Sequence, residues 1–167
     1  EQPYSMPAEQ AVLGAALMDP ASVDTIINRL RGEMFYVRQN RAVYTEIQTL
    51  VATSRPVDLV MLVDRLSTDP ALPSADEAQA YLAELADTLP SLSNLHHYID
   101  IVYEKYIKRL LMEQAREILE QASDDVESSM MLESAEQKLY EIRAGRDTSD
   151  VQELKYAILD IMSHLQR

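Results

Sequence analysis

The chain predicts an all-α fold: a compact helical head, then an antiparallel helical hairpin, then a detached C-terminal amphipathic helix. Three observations carry this. Apolar residues recur at three- and four-residue steps along most of the 167 residues, the spacing that lines one side of a helix. No window shows the alternating Val/Ile/Thr pattern between turn residues that strands need. Gly14, Gly32 and Gly145 are the only glycines, so few tight turns are available.

Each element follows from local signals. Pro7, near the start of 8–17, and Asp19-Pro20, ahead of Val23, Ile26, Ile27 and Leu30, mark two short helices, because proline is tolerated in a first turn whose N–H groups lack partners. A third over 40–52 buries Val43, Tyr44, Ile47, Leu50 and Val51. Pro56 ends the connection and Asp58 caps a fourth helix with Leu59, Leu62, Val63 and Leu66. Ser74-Ala75-Asp76-Glu77 is a capping box opening a fifth, which carries Tyr81, Leu82, Leu85 and Leu89 and closes at Pro90.

From 93 to 122 there is no breaker, which implies one helix about 45 Å long at the usual ~1.5 Å rise per residue. Its second half sets Ile107, Leu111, Ala115, Ile118 and Ala122 on one face. Beyond the polar turn Ser123-Asp124-Asp125, a further helix shows Met131, Ala135, Leu139 and Ile142 before Gly145 stops it. These two form the hairpin. After the connector Gly145-Arg146-Asp147-Thr148, a last helix repeats Val151, Leu154, Ile158, Ile161 and Leu165 as one apolar stripe. The division expected is a head over 1–102, a hairpin over 103–144, and a linker with its helix over 145–167.

Two helices bury only the seam between them. Tyr103, Tyr106, Ile107, Leu110, Leu111 and Leu139 are therefore candidates for self-association, with Tyr103 and Tyr106 equally readable as packing against the head. Leu110 and Leu111 are the better candidates. The stripe Val151, Leu154, Ile158, Ile161 and Leu165 has nothing after it to cover it and is read as a docking face for a partner.

Composition narrows the function. A formal net charge of −13 repels nucleic acid, whose binding relies on Lys and Arg neutralising phosphates. The absence of cysteine removes disulfides, thiol catalysis and thiolate metal sites. Neither a signal peptide nor a bilayer-spanning apolar run is evident, so a cytoplasmic location is the default expectation and no membrane partner is called for.

Catalytic patterns are missing. There is no glycine-rich loop followed by Lys and Ser or Thr to cradle phosphates, and no serine in a glycine-flanked elbow. His96 and Asp100 stand four apart on a helix, but a metal needs three or four ligands and no other cluster converges. Lys105, Lys108, Arg109 and Arg116 could touch phosphate, yet Glu104, Glu113 and Glu117 interleave with them, which favours ion pairs on the helix surface. No catalytic, cofactor-binding or metal-binding residue is assigned.

The order of segments carries a resemblance. AEQAVLGAAL at 8–17, Phe35-Tyr36, RPVDLVMLVDRL at 55–66, AYLAELADTLPSLSN at 80–94 and HYIDIVYEK at 97–105 together resemble the N-terminal domain of the bacterial hexameric replicative DNA helicases, the DnaB family, over about 7–144. The resemblance implies a helical head and a hairpin whose pairing between subunits builds a six-copy collar, on which primase docks through its own helical domain. It also implies that 151–165 is the linker helix, lying against the neighbouring subunit's motor domain. The ATPase motor, with its ATP and Mg, would follow after Arg167, so this segment alone is not expected to hydrolyse ATP. Two departures stand out. The family's usual glycine pair before the Tyr-Leu that matches Tyr81-Leu82 is here Glu77-Ala78, and the usual Pro-His after Phe-Tyr is Gln39-Asn40.

The expectation is therefore an assembly and docking module of DNA replication. The alternative is a stand-alone helical regulator or loader that imitates the helicase collar.

Overall fold

The structure, a computed structural model, describes residues 1–88 and 91–165. Among these residues everything regular is helical: α1 (Met6–Met18), α2 (Pro20–Arg29), α3 (Arg38–Ala52), α4 (Leu59–Leu66), α5 (Ala75–Ala86), α6 (Leu95–Ser123) and α7 (Ser128–Leu165), with 3-10 turns at Gly32–Met34 and Leu92–Asn94. The expected close of the fifth helix at Leu89 and Pro90 lies outside the described residues. The chain divides into two compact units, residues 4–106 and residues 107–167 with 1–3, the boundary falling inside α6.

In the head the helix starts follow the capping chemistry. The Ser5 hydroxyl accepts from the N–H of Ala8 with Pro7 in the first turn, Asp19 accepts from Ala21 ahead of Pro20, Asp58 from Val60, and Ser74 from Glu77. Each satisfies one orphan N–H of a first turn, worth ~1 kcal/mol. The end of α3 is less ordinary. Ser54 takes a positive φ of 57°, and Ser54 and Arg55 donate back to the carbonyls of Val51 and Leu50 at 3.0 and 2.8 Å. That is a Schellman motif, with serine in the place usually taken by glycine.

α1 packs against α2, α3 and α5, while α4 packs against both α3 and α5. Leu13, Ile26, Leu30, Phe35, Tyr44 and Ile47 are all fully buried. The Phe35 and Tyr44 rings lie 4.6 Å apart, and Tyr36 stacks on Tyr4 at 4.7 Å. Leu95, Ile99, Val102 and Tyr103 give α6 its own buried stripe. Gly32 marks a close approach: a Cβ there would stand 2.8 Å from Thr45 Oγ1 on α3.

The polar interior of the head centres on Glu9, 1 % exposed. Its carboxylate accepts from the N–H of Tyr36 at 3.0 Å and of Val37 at 3.3 Å, and from the Asn40 amide at 2.9 Å. Val37, the cap residue of α3, has no side-chain group that could do this, so α1 supplies the cap that the local sequence lacks and sets a negative charge on a helix N-terminus. The Tyr81 hydroxyl donates to Asn40 Oδ1, joining α5 to the same network. Both sequence departures thus fall inside regular structure: Gln39-Asn40 in α3, with Asn40 buried, and Glu77-Ala78 in α5, with Ala78 buried.

In the unit formed by 107–165 and the first three residues, α6 ends at Ser123 and α7 begins at Ser128. The expected interruption at Gly145-Arg146-Asp147-Thr148 is absent: α7 is one helix of 38 residues. Gly145 does not adopt the positive φ of a glycine cap, and Thr148 Oγ1 bonds back to the Ala144 carbonyl at 2.9 Å, as it does inside a helix. One glycine costs a helix only ~1 kcal/mol relative to alanine, and without a proline to enforce a stop the good helix formers on both sides carry the helix through.

Candidate interaction surfaces

Among the described residues no three of His, Cys, Asp and Glu converge as metal ligands would. Asp100, the sequence partner of His96, is instead engaged by Arg29, whose guanidinium Nη2 lies 2.9 Å from its carboxylate. The Arg29 side chain is 2 % exposed, so this pair is a structural tie between α2 and α6 whose rupture would strand a buried charge. The Tyr44 phenol donates to the Leu30 carbonyl at 2.8 Å, with the Ile26 carbonyl at 3.3 Å, and burial pushes its pKa far up. Tyr106 is also raised, by burial first and then by the Glu33 carboxylate, while Arg31 works against both.

In the other unit the hairpin is tied by an ion pair between Glu117 on α6 and Lys138 on α7, one from each side of the turn. The covered line on α6 runs Ile107, Leu110, Gln114, Ile118 and Gln121, with Gln114 buried. This corrects the expected face: Leu111, Ala115 and Ala122 are exposed. The reason is geometric. At about 100° per residue the line through 107, 111, 115, 118 and 122 is centred about 60° round the helix from the line through 107, 110, 114, 118 and 121, and it is the latter that is covered. On α7, Met131, Ala135 and Ile142 are half-buried as expected, but Leu139 is exposed. Arg109 of the basic group donates to the Pro3 carbonyl at 2.9 Å, a protein contact and not an open phosphate site.

Of the six self-association candidates, Tyr103 and Ile107 are buried within the chain, Tyr106 and Leu110 are half-buried, and Leu111 and Leu139 are exposed. Val151, Leu154, Ile158, Ile161 and Leu165 are each between 48 % and 80 % exposed. Sequence reading missed Met162, which falls within this stripe, and Leu159 beside it, both about half exposed; the helical period could have found Met162, four residues after Ile158. It also missed Leu119, Met130, Leu132 and Tyr140, which stand exposed along the hairpin. Scattered exposed leucines are ordinary, whereas here they run along the whole of α7.

Comparison with known proteins bears on the family and the fold. A family model for the DnaB-like helicase N-terminal domain matches residues 1–104. The replicative DNA helicase DnaB of Haemophilus influenzae is 34 % identical over 181 aligned positions, covering 98 % of this chain and 37 % of that protein. The DnaB of Pasteurella multocida is 33 % identical, covering 89 % and 32 %. The chain thus spans about a third of the length of these relatives. Among solved structures, the N-terminal domain of DnaB helicase from Mycobacterium tuberculosis superposes with a TM-score of 0.73 at 26 % identity, covering 84 % of this chain and 99 % of that one. A DnaB-like replicative helicase, solved to show its interactions with primase, gives 0.66 at 27 % identity, covering 83 % and 31 %. With its helical head, its hairpin and a family model matched over most of its length, the chain belongs to the DnaB-like helicase N-terminal domain family.

Proposed function

We propose that this chain is the amino-terminal collar and docking module of a replicative DNA helicase, working by assembly and not by catalysis. The observation that carries the proposal is the unevenness of burial: the head encloses most of its large apolar residues, whereas α7 and the outer face of α6 leave Leu111, Leu119, Leu139 and the 151–165 stripe open. Repeated around a ring, individually weak helix contacts raise the effective concentration of neighbouring subunits. An interface of standard size, about 1,600 Å², yields gross stabilisation on the order of 20 kcal/mol at ~25 cal/mol per Å² of apolar area, most of it offset by ordering and lost translational freedom.

In this reading hairpins of paired subunits meet through Leu110, Leu111 and Leu139. The stripe from Val151 to Leu165 lies on a neighbouring subunit's motor domain, and primase docks on the assembled collar, as the relative solved with primase suggests. ATP and Mg belong to that motor domain, in a longer protein that couples ATP hydrolysis to unwinding. Changing Leu110 and Leu111 together to Asp tests the core of the proposal. Light scattering should show the parent chain self-associating as concentration rises and the variant monomeric, with circular dichroism still reporting a folded helical head. A variant with the parent's mass would remove the hairpin from the interface.

A further inference from the structure

The head carries one apolar feature that assembly through α6 and α7 does not use. Between α4 and α5 lies a trough of about 340 Å³ lined by Leu59, Val60, Val63, Gln79, Leu82 and Ala83. Val60 is 77 % exposed and Leu59 also stands open, while Leu82 closes the floor. Val60 and Val63 sit three apart on α4, and Gln79 and Ala83 four apart on α5, so each wall is one ridge of a helix. The spacing between such ridges suits the side chains of a third helix.

The charge around the trough is one-sided. Asp58 and Asp64 on and before α4, and Asp76, Glu77, Glu84 and Asp87 on and after α5, are all exposed. Arg65 is the only Lys or Arg in 58–87, and it is paired with Glu46 on α3. Asp64 adjoins Val60 on the helical wheel, and Asp76 and Asp87 share a face of α5 with Ala83, which places carboxylates along the rim of an apolar floor.

We infer that the α4–α5 trough is a docking groove for an amphipathic helix of another protein, one that sets aliphatic side chains at i, i+3, i+4 and i+7 into the floor and aims Lys and Arg at the acidic rim. A small-molecule site would need several convergent polar groups, and here Gln79 is the one polar lining residue. A second copy of this chain is disfavoured by charge: its own open stripe on α7 carries Glu153 and Asp160 against Lys155, so it would meet the rim with like charge. The inference does not rest on the collar reading, because the trough lies wholly within the head.

Titration of the isotopically labelled chain with a synthetic 18-residue leucine–lysine helix, its leucines at that spacing, tests the inference by NMR at roughly 0.15 M salt, where weak surface attraction is largely screened. Amide shifts should be confined to α4 and α5. Val60→Ser, at an exposed position that leaves the fold intact, should weaken binding about tenfold, as loss of an anchor does. Asp64→Asn with Asp76→Asn should weaken it several-fold and flatten its salt dependence, and the leucine–glutamate counterpart should not bind. Four results would overturn the inference: shifts spread over the acidic surface of α6 and α7, affinity indifferent to Val60→Ser, equal binding of the glutamate helix, or shifts in the trough that grow with protein concentration alone and so report a second copy.

Discussion

The head and the hairpin unit share a helical alphabet but hold their helices in opposite ways. In the head every helix meets others across a common core, and its buried residues include Phe35, Tyr44, Leu62 and Leu82, drawn from several segments. In 107–165 Ile107 is the only buried hydrophobic residue among those described, and the remaining leucines, isoleucines and methionines lie half-buried or open. The head therefore derives its stability from tertiary burial. α7, with 38 residues and little cover, depends on local helix propensity and on whatever packs against it from another chain. One region buries most of its apolar side chains and the other leaves most of them open.

The largest expected contrast comes from paired deletions. Phe35→Ala in the head should cost about 3–5 kcal/mol by denaturant unfolding, because it leaves a cavity in a closed core. Ile158→Ala in the isolated chain should change stability by less than about 0.5 kcal/mol. Comparable losses would mean that the stripe is already packed.

Next is Glu9. Glu9→Ala strands the N–H groups of Tyr36 and Val37 and the Asn40 amide in the interior, and each unsatisfied buried donor costs about 1–3 kcal/mol. A loss of about 3 kcal/mol is expected, with amide exchange accelerating first at the start of α3. An unchanged melting temperature would reduce the network to an incidental contact.

The pH response should also belong to the head. Tyr44 has its pKa raised above the ordinary value of 10.0 by burial, so the unfolded chain releases this proton first. The stabilisation from the neutral phenol is complete below about pH 10 and is lost as the pH climbs from there toward the folded-state value, at about 1.4 kcal/mol per pH unit for one proton. Tyr44→Phe should lower stability at neutral pH by about 1 kcal/mol and flatten the alkaline slope. An unaltered slope would place the titration elsewhere.

The smallest effect separates a continuous α7 from an interrupted one. A Cβ at Gly145 would meet nothing within 4 Å, so Gly145→Ala should raise helicity and stability by roughly 0.5–1 kcal/mol. A flexible connector at 145–148 would show no gain.

What could be read from the sequence follows the same division between local and tertiary causes. Asp19, Asp58 and Ser74 were legible as caps because a cap is decided by residues two or three apart, and the hairpin was legible from the polar turn after Ser123. Glu9 was not legible as the cap of α3, since its partners lie 27 to 31 residues away and only folding brings them together. The end of α3 at Ala52 was legible, but not its capping by Ser54, where a serine stands in the conformation that favours glycine. Gly145 misled for the converse reason: a glycine permits a stop but does not impose one. The seam register was missed because Leu111 and Leu139 are apolar yet exposed, and a pattern of apolar residues does not distinguish a covered face from an open one.

The central claim is that the stripe on α7 is completed by another polypeptide. Amide hydrogen exchange of residues 151–165, followed by mass spectrometry in this chain alone and in the assembled full-length helicase, tests it most directly. The account predicts fast exchange in the isolated chain and slowing by about tenfold or more in the assembly, while the head exchanges alike in both. Equal protection of 151–165 in the two samples would contradict it.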